Sequence, residues 1–118
     1  MSAKKINLVL EQGTDFESTF TIYNENGSKL NLFNYTGLSL VKKSPYSSVS
    51  YPFTVTFPDR LNGKVQISMA KTDTTNLEGG RYVYDVVLTT PNNITRRVVE
   101  GSVLVMPGVS LWLITMWG

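Results

Sequence analysis

The feature that most constrains this chain is alternation with a period of two. Tyr51, Phe53, Val55 and Phe57 alternate with Pro52, Thr54, Thr56 and Pro58. Val65, Ile67 and Met69 alternate with Lys64, Gln66 and Ser68, and Tyr82, Tyr84, Val86 and Leu88 with residues that include Arg81, Asp85 and Thr89. Successive side chains of a strand point to opposite faces, so each run specifies a strand with one face buried. The same reading applies to Ile6, Leu8 and Leu10, to Phe16, Phe20 and Ile22, to Leu38 and Leu40, and to Val99, Val103 and Val105. Pro52 and Pro58 lack the N–H a ladder needs, which marks their run as an expected edge strand.

Composition agrees with sheet rather than helix. Of 118 residues, 31 are Val, Ile or Thr, and only Ala3 and Ala70 are alanine. Turn chemistry falls between the alternating runs. Asn24-Glu25-Asn26-Gly27 carries an Asn-Gly pair, Pro58 to Gly63 forms a second cluster, and Pro91-Asn92-Asn93 reads as a tight hairpin. Lys71 to Leu77 does not alternate. Thr72 is placed to cap one helical turn there, and Thr75 with Glu78 matches a capping box. Seven short strands with regular turns predict an all-β fold: a single antiparallel β-sandwich of about seven strands with immunoglobulin-like topology, or a small barrel. The sandwich is expected over residues 1–110 and an apolar tail over 111–118.

Several kinds of chemistry are ruled out by residue type. The chain has no Cys and no His, which removes disulfides, thiolate or imidazole metal ligands, cysteine nucleophiles and Ser-His-Asp catalysis. Lys and Arg total 11 against 9 Asp and Glu, and a net charge of +2 does not argue for nucleic acid. The doublets Lys4-Lys5, Lys42-Lys43 and Arg96-Arg97 put one cation on each face of a strand, breaking up any patch. Asp59 and Asp73 lie in loops without a calcium-loop motif. Asp85 stands out among the carboxylates because Tyr84 and Val86 flank it, and a structural partner such as Arg81 or Arg97 is expected. No catalytic, cofactor or metal site is assigned. Tyr46 and Tyr51 are the aromatics to examine for carbohydrate binding. No apolar run of signal-peptide length follows Lys4-Lys5, and none reaches the length of a membrane span, so a soluble chain is expected.

The end of the sequence is anomalous. After Pro107-Gly108 come Leu111, Trp112, Leu113, Ile114, Met116 and Trp117, with no charge among the last eight residues. Two tryptophans left in water would make a sticky surface. The segment is either a strand folded back on its own sandwich or an anchor for a neighbouring subunit.

The order of motifs from Asn7 to Ser110 resembles that of small immunoglobulin-like virion structural proteins of tailed bacteriophages, and is similar to the N-terminal domain of phage upper baseplate proteins. The residues that carry the likeness are Leu8 to Phe16, then Phe20-Thr21-Ile22; Asn24 to Leu32 with Tyr35-Thr36-Gly37; Thr74 to Val86, including Gly79-Gly80-Arg81-Tyr82-Val83-Tyr84-Asp85; and Val99 to Ser110. The apolar tail departs from that pattern. The resemblance implies a non-enzymatic virion component, assembled in the host cytoplasm, that docks onto other virion proteins in a homo- or hetero-oligomeric assembly. A tail or baseplate adaptor leads, with capsid decoration and a carbohydrate-binding adhesion module as alternatives. The expected partner-binding residues are Leu111, Trp112, Leu113, Ile114, Met116 and Trp117, with no cofactor, nucleic acid or membrane.

Overall fold

A computed structural model describes residues 3–109. Its strands are β1 (Lys4–Lys5), β2 (Leu8–Glu11), β3 (Phe16–Thr21), β4 (Thr36–Lys42), β5 (Tyr51–Asp59), β6 (Lys64–Met69), β7 (Gly80–Thr89) and β8 (Thr95–Met106). One helical turn, α1 (Lys71–Thr74), joins β6 to β7, and a 3-10 turn spans Arg60–Asn62. The fold is all-β. The strands form one curled mixed sheet in the order β1-β8-β7-β4-β5-β6-β3, with β2 also on β8.

All seven alternating runs fall on strands, and in six of them the alternating apolar residues face one core. The exception is β4, where Ser39 and Val41 take the buried face while Leu38 is exposed and Leu40 half-buried. Ser39 is accommodated there by donating its hydroxyl to the Asp85 carbonyl. Leu10, Val41, Val65, Ile67, Val86, Val99, Val103 and Val105 are fully buried within the core. The expectation of a purely antiparallel arrangement is corrected at the beginning of the chain. Both β1 and β2 run parallel to β8, pairing Lys4 with Val99 and Leu8 with Val103. They are separate strands because Ile6-Asn7 leaves the ladder, although the Ile6 amide still donates to the Glu100 carbonyl at 2.9 Å.

The prolines of β5 have a different explanation from the one expected. This strand is not at the margin of the sheet. It pairs with β4 through Tyr51–Phe53 and with β6 from Thr54 onward, so each part of it bonds along one side only. Pro52 sits in the first part, and Pro58 sits in the register shift between Thr56 and Asp59, where the ladder is already broken. That change of partner is where the sheet curls.

A second irregularity lies in the hairpin of β7 and β8. The register slips between Val86 and Val87, which inserts Val98 as a bulge, and both Val98 and Val99 are then buried. The hairpin turn closes with the Asn93 amide donating to the Thr90 carbonyl at 2.9 Å, and Asn93 has φ +67°. The irregular stretch between β3 and β4 is fastened by Arg60. Its guanidinium donates to the Leu32 and Tyr35 carbonyls at 2.9 and 2.8 Å and stacks 4.1 Å from the Phe57 ring centroid. Gly63, with φ +70°, is required beside it, because a Cβ there would lie 2.5 Å from the Ile22 carbonyl oxygen.

Candidate docking end

The strand directions gather four segments at one end of the sheet: the β2–β3 turn, the β4–β5 loop, the α1 segment with its link to β7, and the exit from β8. The six tail residues expected to bind a partner, Leu111, Trp112, Leu113, Ile114, Met116 and Trp117, lie outside the described residues. The structure does describe the point from which they depart.

That point is clamped by Gln12. Its backbone amide donates to the Met106 carbonyl at 2.9 Å, continuing the β2–β8 ladder. The side chain then reaches two ways. The amide nitrogen Nε2 donates to the Leu77 carbonyl at 2.9 Å and to that of Thr75 at 3.3 Å, while Oε1 accepts from the Gly108 amide at 3.0 Å. A primary amide carries both a donor and an acceptor on one flat group, so this one residue ties the α1–β7 link to Gly108. Pro107 packs tightly on Gly79, where an added Cβ would lie 2.5 Å from the proline Cγ.

The α1 turn is fixed from beneath. Thr74 is fully buried; its hydroxyl donates to the Thr14 carbonyl at 2.8 Å and accepts from the Gly13 amide at 3.1 Å. The cap differs from the one expected. Ala70, not Thr72, occupies the N-cap position, and no local side chain serves it. The missing acceptor comes from 56 residues away, where Asp15 Oδ1 takes the Lys71 amide at 2.8 Å.

The β4–β5 loop folds on its serines. The Ser47 amide donates to the Ser44 carbonyl at 3.1 Å, and the Ser44 amide donates to the Ser47 hydroxyl at 3.2 Å. Tyr46 at its tip is 96% exposed. Tyr51 is half-buried and meets Tyr82 edge to face, with centroids 6.3 Å apart and planes at 85°. The two tyrosines singled out for carbohydrate therefore do not form one flat exposed platform. Lys43 lies over the other aromatic, its Nζ 4.2 Å from the Tyr82 ring centroid. The Tyr82 hydroxyl donates to the Glu78 carbonyl at 2.8 Å, and burial, followed by the charges of Tyr51 and Glu78, pushes its pKa up.

Asp85 has the structural partner anticipated for it. Arg97 Nε lies 3.1 Å from Asp85 Oδ2, and Arg97 Nη1 lies 3.8 Å from Glu100 Oε1 on the outward face of the sheet. The two carboxylates are cross-strand neighbours with the guanidinium between them. Among the described residues no group of three or more Asp and Glu side chains is placed to hold a metal ion, and no helix is long and apolar enough to cross a membrane. Exposed apolar side chains are scattered: Tyr46, Val49, Met106 and Val109 at this end, Tyr23, Phe33, Leu61 and Ile94 at the other, and Val9 and Leu38 within β2 and β4.

Gln12 had no visible role in the sequence. Its partners are 65 and 96 residues away, and nothing local distinguishes it from any polar residue after a strand.

No protein-family model matches the chain, and no curated protein matches it. Among solved structures it is similar to an internalin-like protein of Listeria monocytogenes, at 12% identity and a TM-score of 0.44 over 90% of this chain. It is also similar to a family 123 glycoside hydrolase of Clostridium perfringens, at 15% identity and a TM-score of 0.41 over 89%. The chain spans 28% and 23% of those two proteins.

Proposed function

We propose that this chain is a non-catalytic structural component of a tailed-phage virion, an adaptor that docks onto neighbouring virion proteins in the tail or baseplate. Its body is an immunoglobulin-like β-sandwich, and its apolar tail is the anchor. The strand order supports the sandwich reading. Strands β3-β6-β5 and β4-β7-β8 follow the B-E-D and C-F-G order of such domains, with β1 and β2 in the place of strand A but paired with β8. The sequence resemblance supports the virion reading.

The observation that carries docking is the Gln12 clamp. The chain just before a segment rich in Leu, Trp, Ile and Met is held at Gly108 by Gln12, which is itself bonded to the α1–β7 link. A fixed base lowers the orientational entropy lost on binding, and each buried Trp contributes on the order of 2–3 kcal/mol.

Immunogold electron microscopy of intact particles tests the location. Label at the distal tail supports the adaptor; label over the head reassigns the chain to capsid decoration. Absence of label from every particle, with the protein abundant in the lysate, overturns the virion reading. Deleting Leu111 to Gly118 tests the anchor: the shortened protein is expected to fold and to be lost from particles, and its unfolding would make the tail part of the core instead.

A further inference from the structure

Beside the docking end, the β4–β5 loop and the α1–β7 link flank an open cavity of about 460 Å³. Small-ligand sites occupy roughly 300–1,000 Å³ and combine an apolar floor with a few polar groups. We propose that this cavity is a binding site for a neutral saccharide, a reading independent of the virion assignment.

The floor is aromatic. Tyr51 and Tyr82 both line the cavity, set edge to face, and the Glu78 carbonyl holds the Tyr82 hydroxyl in place. A sugar ring has an apolar face of C–H bonds that packs against such a surface, and a rim of hydroxyls that both donate and accept.

The wall supplies complementary partners. Lys43 and Glu78 line the cavity, and neither side chain forms a hydrogen bond or ion pair with another described side chain. Lys43 nevertheless has a defined position: its ammonium rests over the Tyr82 ring and lies 3.3 Å from where Gly80 would carry a Cβ. Asn76 uses Nδ2 on the Thr72 carbonyl at 3.3 Å, which leaves its Oδ1 as a further acceptor.

The pairing of charges favours a ligand without net charge. An anion would satisfy Lys43 and be repelled by Glu78; a cation would do the reverse. An apolar ligand would strip water from both and pair neither. Hydroxyls of a neutral sugar accept from the ammonium and donate to the carboxylate.

The test is an array of neutral oligosaccharides (hexose and N-acetylhexosamine) printed beside uronic and sialylated ones, followed by calorimetry of the full chain with the strongest binder. Selective binding of a neutral saccharide is expected. Lys43→Ala and Glu78→Gln should each weaken it about tenfold, the value of one well-placed hydrogen bond. Both residues are exposed, so circular dichroism should be unchanged. Absence of binding to every saccharide, preference for acidic ones, or binding that both variants leave intact would each overturn the proposal.

Discussion

The Tyr84 hydroxyl donates to the Ile6 carbonyl at 2.8 Å, and that carbonyl oxygen occupies the space a side chain on Gly101 would need. Tyr84 and Gly101 are cross-strand partners on β7 and β8. The missing side chain on one strand lets the crossing between β1 and β2 sink toward the sheet, and the tyrosine opposite reaches up to hold it.

Gly101→Ala should therefore lift the first strands off β8. Overpacking of this kind costs about 1–3 kcal/mol. Urea denaturation should show the loss, and amide exchange at Leu8 to Glu11 should quicken. Unchanged exchange there would mean the crossing is held by other contacts.

Tyr84 also predicts an alkaline limit. Burial raises its pKa far above the ordinary 10, and burial raises that of Tyr82 as well. Both stay neutral in the folded chain while the unfolded chain ionises near pH 10, so the stability they contribute is complete below pH 10 and lost as pH rises beyond it. Tyr84→Phe should cost about 1 kcal/mol at neutral pH by removing the bond to Ile6. It should also flatten the decline in urea midpoint above pH 10. An unaltered pH profile would show that Tyr84 ionises freely in the native state.

Gln12→Glu separates the two functions of the clamp. The carboxylate still accepts from Gly108, but it faces the Thr75 and Leu77 carbonyls with no hydrogen to offer. A loss of about 1–3 kcal/mol is expected from the orphaned acceptors, while Gly108 keeps its slow amide exchange. Fast exchange at Gly108 in this variant would show that the exit depends on the α1–β7 link rather than on Oε1.

Arg97→Ala should do little despite its two carboxylate neighbours. Its side chain is 55% exposed, and exposed pairs contribute about 0–1 kcal/mol. A thermal unfolding midpoint reduced by more than a few degrees would assign the Asp85–Arg97–Glu100 group a larger role than surface pairing.

Much of the sheet was legible because alternation is a local property. Tyr82, Tyr84, Val86 and Leu88 announce their buried face within seven residues, and all four are buried. What stayed hidden was partnership across long separations. Pro52 and Pro58 marked β5 as unusual, yet its change of partner depends on β4 and β6 together. Asp15 capping α1 and Gln12 bonding Gly108 are likewise products of the completed fold. For the candidate site, the sequence pointed to Tyr46 and Tyr51 but gave no sign that Tyr82, Lys43 and Glu78 would join Tyr51 around one cavity. The tail residues were conspicuous by composition alone, which names apolar side chains without naming what covers them.

The parallel pairing of β1 and β2 with β8 sets how the domain carries load. In a parallel pair the two chains enter at the same end, so the beginning of β1 and the exit from β8 lie at opposite ends of the ladder. Tension drawn between them pulls along the strands, and the hydrogen bonds from Leu8–Val103 to Glu11–Met106 are strained together. An antiparallel pair pulled from its adjacent ends would instead open one bond at a time. Force entering near Lys4 and leaving at Gly108 thus meets a joint loaded in shear.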